Sequence, residues 1–193
     1  APLLCAGITT YSPLRHWKVG PGSKVAVAGL GGLGHMGVKL AHAMGAEVTV
    51  LTRSAAKAGE AKALGAHHVL LASDTDSIKR ATGTFDFVLD TIPVVHELDP
   101  YLRLVRTHGA LVLVGVIDTI PAFSSRLLIG GRKSLSGSAI GGIAETQELL
   151  DFCAAKGVAA DCEMTTMPRI NEAFERMARG DVRYRFVIDM QTL

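Results

Sequence analysis

Six short runs dense in Val, Leu, Ala and Ile, at Lys24 to Ala28, Glu47 to Leu51, His68 to Leu71, Phe85 to Asp90, Ala110 to Gly115 and Ser134 to Ala139, alternate along the chain with stretches of helical period. Parallel strands need a crossover between them, so this alternation is the pattern of βαβ units and a parallel sheet. Within each run the apolar residues are nearly continuous, as strands covered by helices on both faces require. The intervening helices are expected at Gly32 to Met44, Ala55 to Leu64, Asp76 to Ala81 and Glu97 to Val105, with a short turn near Ser124 to Ile129. Gly45 and Gly65 stand where the first two should stop. The expected fold class is therefore α/β, a doubly wound six-stranded parallel sheet with helices on both faces.

After Gly142 the rhythm changes. An amphipathic stretch from Glu145 to Lys156 is followed by a polar link, a segment Glu163 to Met167, a helix from Pro168 to Arg179 and a final strand Arg185 to Asp189. Pro168 suits a first helical position and Gly180 a terminating one. A length of 193 residues accommodates one well-buried α/β domain and little more, and the 48% apolar and 20% charged composition is that of a globular chain. The 20 Lys and Arg are scattered, with a formal net charge of +2, so no nucleic acid is expected as a partner. The longest apolar run, Gly109 to Ile117, is far short of a membrane span, so no membrane is expected either. Ala1-Pro2-Leu3-Leu4-Cys5 has no basic region before a hydrophobic segment and no initiator Met, so it reads as neither a signal peptide nor a translation start, and a fragment is expected. Cys5, Cys153 and Cys162 form no paired spacing, which fits a reducing, cytoplasmic location. Cys153, on an apolar helical face, and Cys162, in the link, are expected to be structural.

The strongest chemical signal is Gly29-Leu30-Gly31-Gly32-Leu33-Gly34, which follows the first strand and opens a helix. In that setting Gly29 permits the turn out of the strand, Gly31 lets a pyrophosphate approach the backbone, and Gly34 lets the helix pack closely on the sheet. The helix start then offers free amides and the positive end of its dipole to the phosphates. This is the dinucleotide-binding loop of a Rossmann fold. The second strand decides which dinucleotide: an acid at its end would accept from the adenosine ribose and repel a 2′-phosphate. The sequence has none there and reads Thr52-Arg53-Ser54, with Lys57 one turn on, so hydroxyl donors and two cations favour NADP(H) over NAD(H). The competing reading makes Arg53 and Lys57 plain solvated charges. A methyltransferase loop is the other alternative, and the missing acid speaks against it.

Several separated blocks resemble one family. The loop continues as His35-Met36-Gly37-Val38-Lys39, the chain opens with Pro2-Leu3-Leu4-Cys5-Ala6-Gly7-Ile8-Thr9 and closes with Asp181-Val182-Arg183-Tyr184-Arg185-Phe186-Val187-Ile188-Asp189, and Ile140-Gly141-Gly142 precedes Glu145-Thr146-Gln147-Glu148. Together these resemble the zinc-dependent medium-chain alcohol dehydrogenases, in particular the cinnamyl-alcohol-dehydrogenase-like aldehyde reductases, over essentially the whole chain. The resemblance implies reversible hydride transfer between NADP(H) and an alcohol or aldehyde, with Zn2+ as the Lewis acid. It matches Cys5 to one zinc ligand, Thr9 to a residue beside the nicotinamide, Val114, Gly115 and Ser138 to the carboxamide contacts, and Arg185 to a cation reaching the pyrophosphate. Read alone, Val114 is equally a core strand residue, Gly115 a turn, Ser138 a cap and Arg185 a surface charge. His35 and His42 read as helix-face residues without ligand partners.

By that resemblance, residues 1–5 are a remnant of a GroES-like catalytic domain, 6–143 the NADP-binding Rossmann domain and 144–193 a return segment to the catalytic domain. The family's remaining zinc ligands and proton relay precede this point, and one thiolate does not fix a catalytic zinc. These residues alone are thus expected to bind cofactor without turnover. A stand-alone nucleotide-binding or sensing module is the second reading. The family also suggests a homodimer through the edge near Lys133 to Ile140, and apolar surface is expected on the Glu145 to Lys156 helix and the last strand.

Overall fold

A computed structural model describes residues 1–193. Six strands form one sheet: β1 (Lys24–Ala28), β2 (Glu47–Thr52), β3 (His68–Leu71), β4 (Phe85–Asp90), β5 (Val105–Leu113) and β6 (Ser134–Gly137), in the order β3-β2-β1-β4-β5-β6 with every pairing parallel. This is the doubly wound α/β sheet that the apolar runs predict. Successive strand residues point to opposite faces, and the core divides accordingly. Val25 and Val27 of β1, Leu89 of β4 and Val112 of β5 join one cluster of 25 buried residues, whereas Ala26, Ala28, Val88 and Leu111 join another of 10 on the other face. The continuous apolar runs thus supply two cores at once.

Helices α2 (Gly34–Ala43), α3 (Ala58–Ala63), α4 (Thr75–Arg80), α5 (Asp99–Leu104) and α6 (Arg126–Ile129) connect these strands within a few residues of the expected limits. A 3-10 turn at Ala55–Lys57 precedes α3. β5 begins five residues earlier than expected, at Val105, where a register shift against β4 lets the chain turn directly out of α5.

The element without a sequence expectation is α1 (Ala6–His16). Gly7, Thr9, Thr10 and an internal Pro13 are poor helix formers, and burial overrides them: Ala6, Ile8, Tyr11 and Leu14 lie in the larger core. α1 packs on α2 and on α7 (Ile143–Lys156), where Gly7 lets the helices close up, since a β-carbon there would stand 3.1 Å from Leu149. Tyr11 and Arg15 both bond Glu148 across that contact. The end of the chain forms β7 (Glu163–Thr166), α8 (Ile170–Ala178) and β8 (Phe186–Asp189), with β7 and β8 paired as a separate two-stranded parallel sheet.

Two expectations fail. Cys162 is exposed at the end of the link before β7, although Val158 and Ala160 of that link pack partly on the larger core; Cys153 on α7 is buried as expected. The bare apolar surface is not mainly on α7 and the last strand: α7 buries Leu149 and Cys153 against α1, and the residues of β8 are all partly covered. Ile143 at the very start of α7, Met164 of β7, Phe174 and Met177 of α8, and Met190 and Leu193 beyond β8 are the large apolar side chains left bare at that end.

Candidate functional site

The strand order reverses between β1 and β4, and a doubly wound sheet opens its ligand crevice at that point, beyond the carboxyl ends of the strands. Residues 29–34 lie there. Gly29 leaves β1 with φ of +89°, a backbone conformation that side chains disfavour. Its amide donates to the Leu51 carbonyl of β2, and the Thr91 hydroxyl, from the end of β4, donates to the Ala28 carbonyl at 2.7 Å. The loop is thereby tied to the strands on either side of β1. At Gly34 a β-carbon would stand 2.2 Å from the Gly29 oxygen, so the start of α2 lies directly on the turn.

The outer side of the loop differs in character. Nothing lies within 4 Å of the position a β-carbon would take at Gly31, and the N–H groups of Gly31, Gly32 and Leu33 donate to nothing in the chain. Above Gly32 lies Arg185, whose Nε would be 2.5 Å from a β-carbon there and is buried without a hydrogen-bond partner. An orphaned cation over unused amides at a helix start is a fit for a phosphate. Leu30 is buried, and its carbonyl accepts from Lys57 Nζ at 2.9 Å. Lys57 is therefore no free surface charge; it braces the loop from the segment after β2.

Of the other residues expected around the adenosine ribose, Arg53 is exposed and makes no ion pair or hydrogen bond, Ser54 is half-buried, and Thr52 is buried with its hydroxyl accepting from the Ser54 amide at 3.2 Å. The uncommitted groups there are Arg53 and the Ser54 hydroxyl. Further along the sheet, Val114 is buried and Gly115 half-buried, and both amides donate to the Asp90 carbonyl. A β-carbon on Gly115 would come within 2.3 Å of the Ile92 oxygen, so the ends of β4 and β5 meet with no room for a side chain. Ser138 is half-buried just past β6, its amide donating to Leu113. Thr9 is buried on α1, whose neighbouring Ile8 lies against Gly141. Cys5 is exposed at the start of α1, and no group of three or more His, Cys, Asp or Glu side chains converges anywhere in the chain.

Four residues at the crevice escaped the sequence reading. Asp90 ends β4 with 1% exposure, accepting from the Ile92 amide and meeting His96 Nε2 at 2.8 Å; burial pushes its carboxyl pKa up, and the Ile92 amide and His96 oppose this. The ring of Tyr101 is set edge-on against His96. An acid at the end of an otherwise apolar strand was the available signal. The fourth, Tyr184, stacks on His35 with centroids 4.7 Å apart, and that histidine, on a face of α2, is fully buried.

The geometry has counterparts among known proteins. The family described as zinc-binding dehydrogenase matches residues 32–155. The chain is 56% identical over 195 residues to aldehyde reductase YahK of Escherichia coli, a match that takes in the whole chain and 56% of that protein. A cinnamyl alcohol dehydrogenase from Sorghum bicolor superposes with a TM-score of 0.93 at 43% identity, over 97% of this chain and 54% of the other. One from Helicobacter pylori, solved in complex with NADP(H), superposes with a TM-score of 0.88 at 42% identity, over 99% and 55%. The chain thus spans a little over half the length of each relative. No helix is long and apolar enough to cross a membrane.

Proposed function

Since the chain belongs to the zinc-binding dehydrogenase family, we propose that its crevice binds NADP(H) and that the protein moves a hydride between that cofactor and an alcohol or aldehyde. The observation that carries this reading is the row of undonated amides at Gly31, Gly32 and Leu33 beneath the unpartnered Arg185. The pyrophosphate lies on that row, where the α2 dipole and the guanidinium both favour negative charge. Arg53 and the Ser54 hydroxyl hold the 2′-phosphate, and Lys57 keeps the loop in place through Leu30. Thr9, Val114, Gly115 and Ser138 take the nicotinamide end, a reading supported by the contact of Ile8 on α1 with Gly141 beyond β6. The relatives, an aldehyde reductase and cinnamyl alcohol dehydrogenases, one of them solved with NADP(H), agree with that class of reaction.

When bound, NADP(H) supplies the hydride; the contribution of this chain is to hold the dinucleotide extended across the sheet ends with its nicotinamide fixed. Zinc does not fit the residues present by themselves. A zinc site uses three or four donors, and Cys5 is a single one. We assign Cys5 as one thiolate of such a site, needing at least two donors that these residues do not supply, so residues 1–193 alone bind cofactor and turn over little. The exposed edge at β6, around Lys133 to Ile140, is the proposed contact with a second copy.

Calorimetric titration with NADPH and NADH, repeated on Arg53→Ala, tests the assignment. NADPH should bind more tightly, and Arg53→Ala should weaken it by about tenfold or more while moving NADH by no more than about twofold, as the loss of one charge-assisted contact predicts. Equal wild-type affinities, or an unmoved variant, overturn the 2′-phosphate site. Failure of the folded protein to bind either nucleotide overturns the cofactor reading.

A further inference from the structure

Arg185 reaches the phosphate loop from a segment with little hold on the domain. Between Phe174 and Leu193 a single residue, Tyr184, is buried. Its ring lies flat on His35, at 7° between planes, and His35 is the residue directly after the glycine loop, its Nδ1 3.3 Å from the Gly31 carbonyl. The Tyr184 hydroxyl donates to Glu60 on α3 at 3.0 Å, bringing in the helix that follows Lys57. Burial, then Glu60, push the phenol pKa well above its usual range, so the hydroxyl stays a donor. The Tyr184 amide donates to the Asp161 carbonyl, and the Asp161 carboxylate meets Lys39 Nζ of α2 at 2.7 Å. The contacts of Tyr184, the neighbour of Arg185, and of its partner Asp161 each end on α2, on α3 or on the link that Lys39 holds to α2.

We propose that Tyr184 is the positioning residue for Arg185: its stack on His35 and its bond to Glu60 strap the C-terminal segment across α2 and α3 and hold the guanidinium over the phosphate loop. Pyrophosphate affinity is then set partly by a side chain that never touches the cofactor. Orienting a long cation in advance removes the cost of ordering it on binding. The Arg185 Nε, buried over Gly32 with no partner, is the group so held. This inference rests on the dinucleotide reading above.

The test pairs two ligands with a mutant cycle on the full chain. NADPH contains the pyrophosphate and the 2′-phosphate, whereas 2′-AMP contains only the latter. Tyr184→Ala and Arg185→Ala should each weaken NADPH by about tenfold, and the double variant should lose no more than about twofold beyond either, because one acts through the other. Tyr184→Phe, which keeps the stack and loses one hydrogen bond, should lose about three- to fivefold. The 2′-AMP affinity should stay within about twofold of wild type in all of them, since a general loss of structure would reduce both ligands together. Losses that multiply in the double variant, a parallel loss of 2′-AMP, or a Tyr184→Ala protein that binds NADPH normally, each overturn the strap while wild-type binding leaves the cofactor reading standing. A wild-type protein that binds neither ligand overturns both.

Discussion

Two glycines three residues apart should respond to the same substitution in opposite ways. In Gly34→Ala the new methyl would stand 2.2 Å from the Gly29 oxygen, 3.0 Å from its carbonyl carbon and 3.2 Å from Thr91 Oγ1. An ordinary carbon contact is about 3.5 Å, so the shortfall is roughly 1 Å. No flexible side chain can yield, because the obstacle is backbone, held at φ of +89° and bonded to Leu51. Overpacking of this kind costs ~1–3 kcal/mol. Alanine's better helix propensity returns at most about 1 kcal/mol, and less at a first helical position. A net loss of ~1–2 kcal/mol lowers the melting temperature by roughly 2–8 °C in a chain of this size. Gly31→Ala places its methyl where nothing lies within 4 Å. Its stability should stay within about 0.5 kcal/mol of wild type, while the methyl takes the approach reserved for the pyrophosphate and NADPH affinity falls by about tenfold or more. Urea melts and NADPH titrations of the two variants separate the effects. A Gly34→Ala protein with an unmoved urea midpoint refutes the steric reasoning, as does a Gly31→Ala protein that loses stability but keeps its affinity.

The thiols should divide two to one: Cys5 and Cys162, both exposed, react at once with a thiol reagent in the native protein, and Cys153, buried with its thiol pKa raised by desolvation, reacts only after unfolding. A third thiol titrating at the same rate in the native state contradicts the packing of α7. His35 should make the protein acid-sensitive. Burial lowers its pKa below 6.5 against the opposing pull of the Gly31 carbonyl, so the unfolded chain takes up the proton first and stability falls as pH drops below 6.5. His35→Phe keeps an aromatic ring against Tyr184 and removes the titration, so the slope of stability between pH 6.5 and about 5 should shrink; an unchanged slope in urea melts across that range means that another group carries it.

The sheet is legible in the sequence because its determinants are local. The central strands announce themselves by apolar side chains on both faces, and the two cores that Val27 and Ala28 enter are built from neighbouring residues of one run. α1 is illegible for the converse reason: Gly7, Thr9, Thr10 and Pro13 argue against a helix, and what overrules them is burial against α2 and against α7, the latter well over a hundred residues away in the chain. Cys162 misleads in the same way, since nothing local tells a covered link from a bare one.

At the site the same division separates the motif from its supports. The loop Gly29 to Gly34 is contiguous, so its turn, its open outer face and its close packing could all be read from one stretch. What fixes it comes from elsewhere: Lys57 from 27 residues on, Thr91 from 63 residues beyond Ala28, and Tyr184, whose bond to Glu60 spans 124. Lys57 and Arg185 were visible as cations, but a charge in a sequence does not disclose whether it meets solvent, a carbonyl or a phosphate. Tyr184 stood in the sequence as one residue of the closing block and gave no sign of this role, because an aromatic residue among Arg183 and Arg185 reads as surface until the chain folds back on His35. The loop specifies where a phosphate can go; how firmly it is held there depends on contacts that only the tertiary fold brings together.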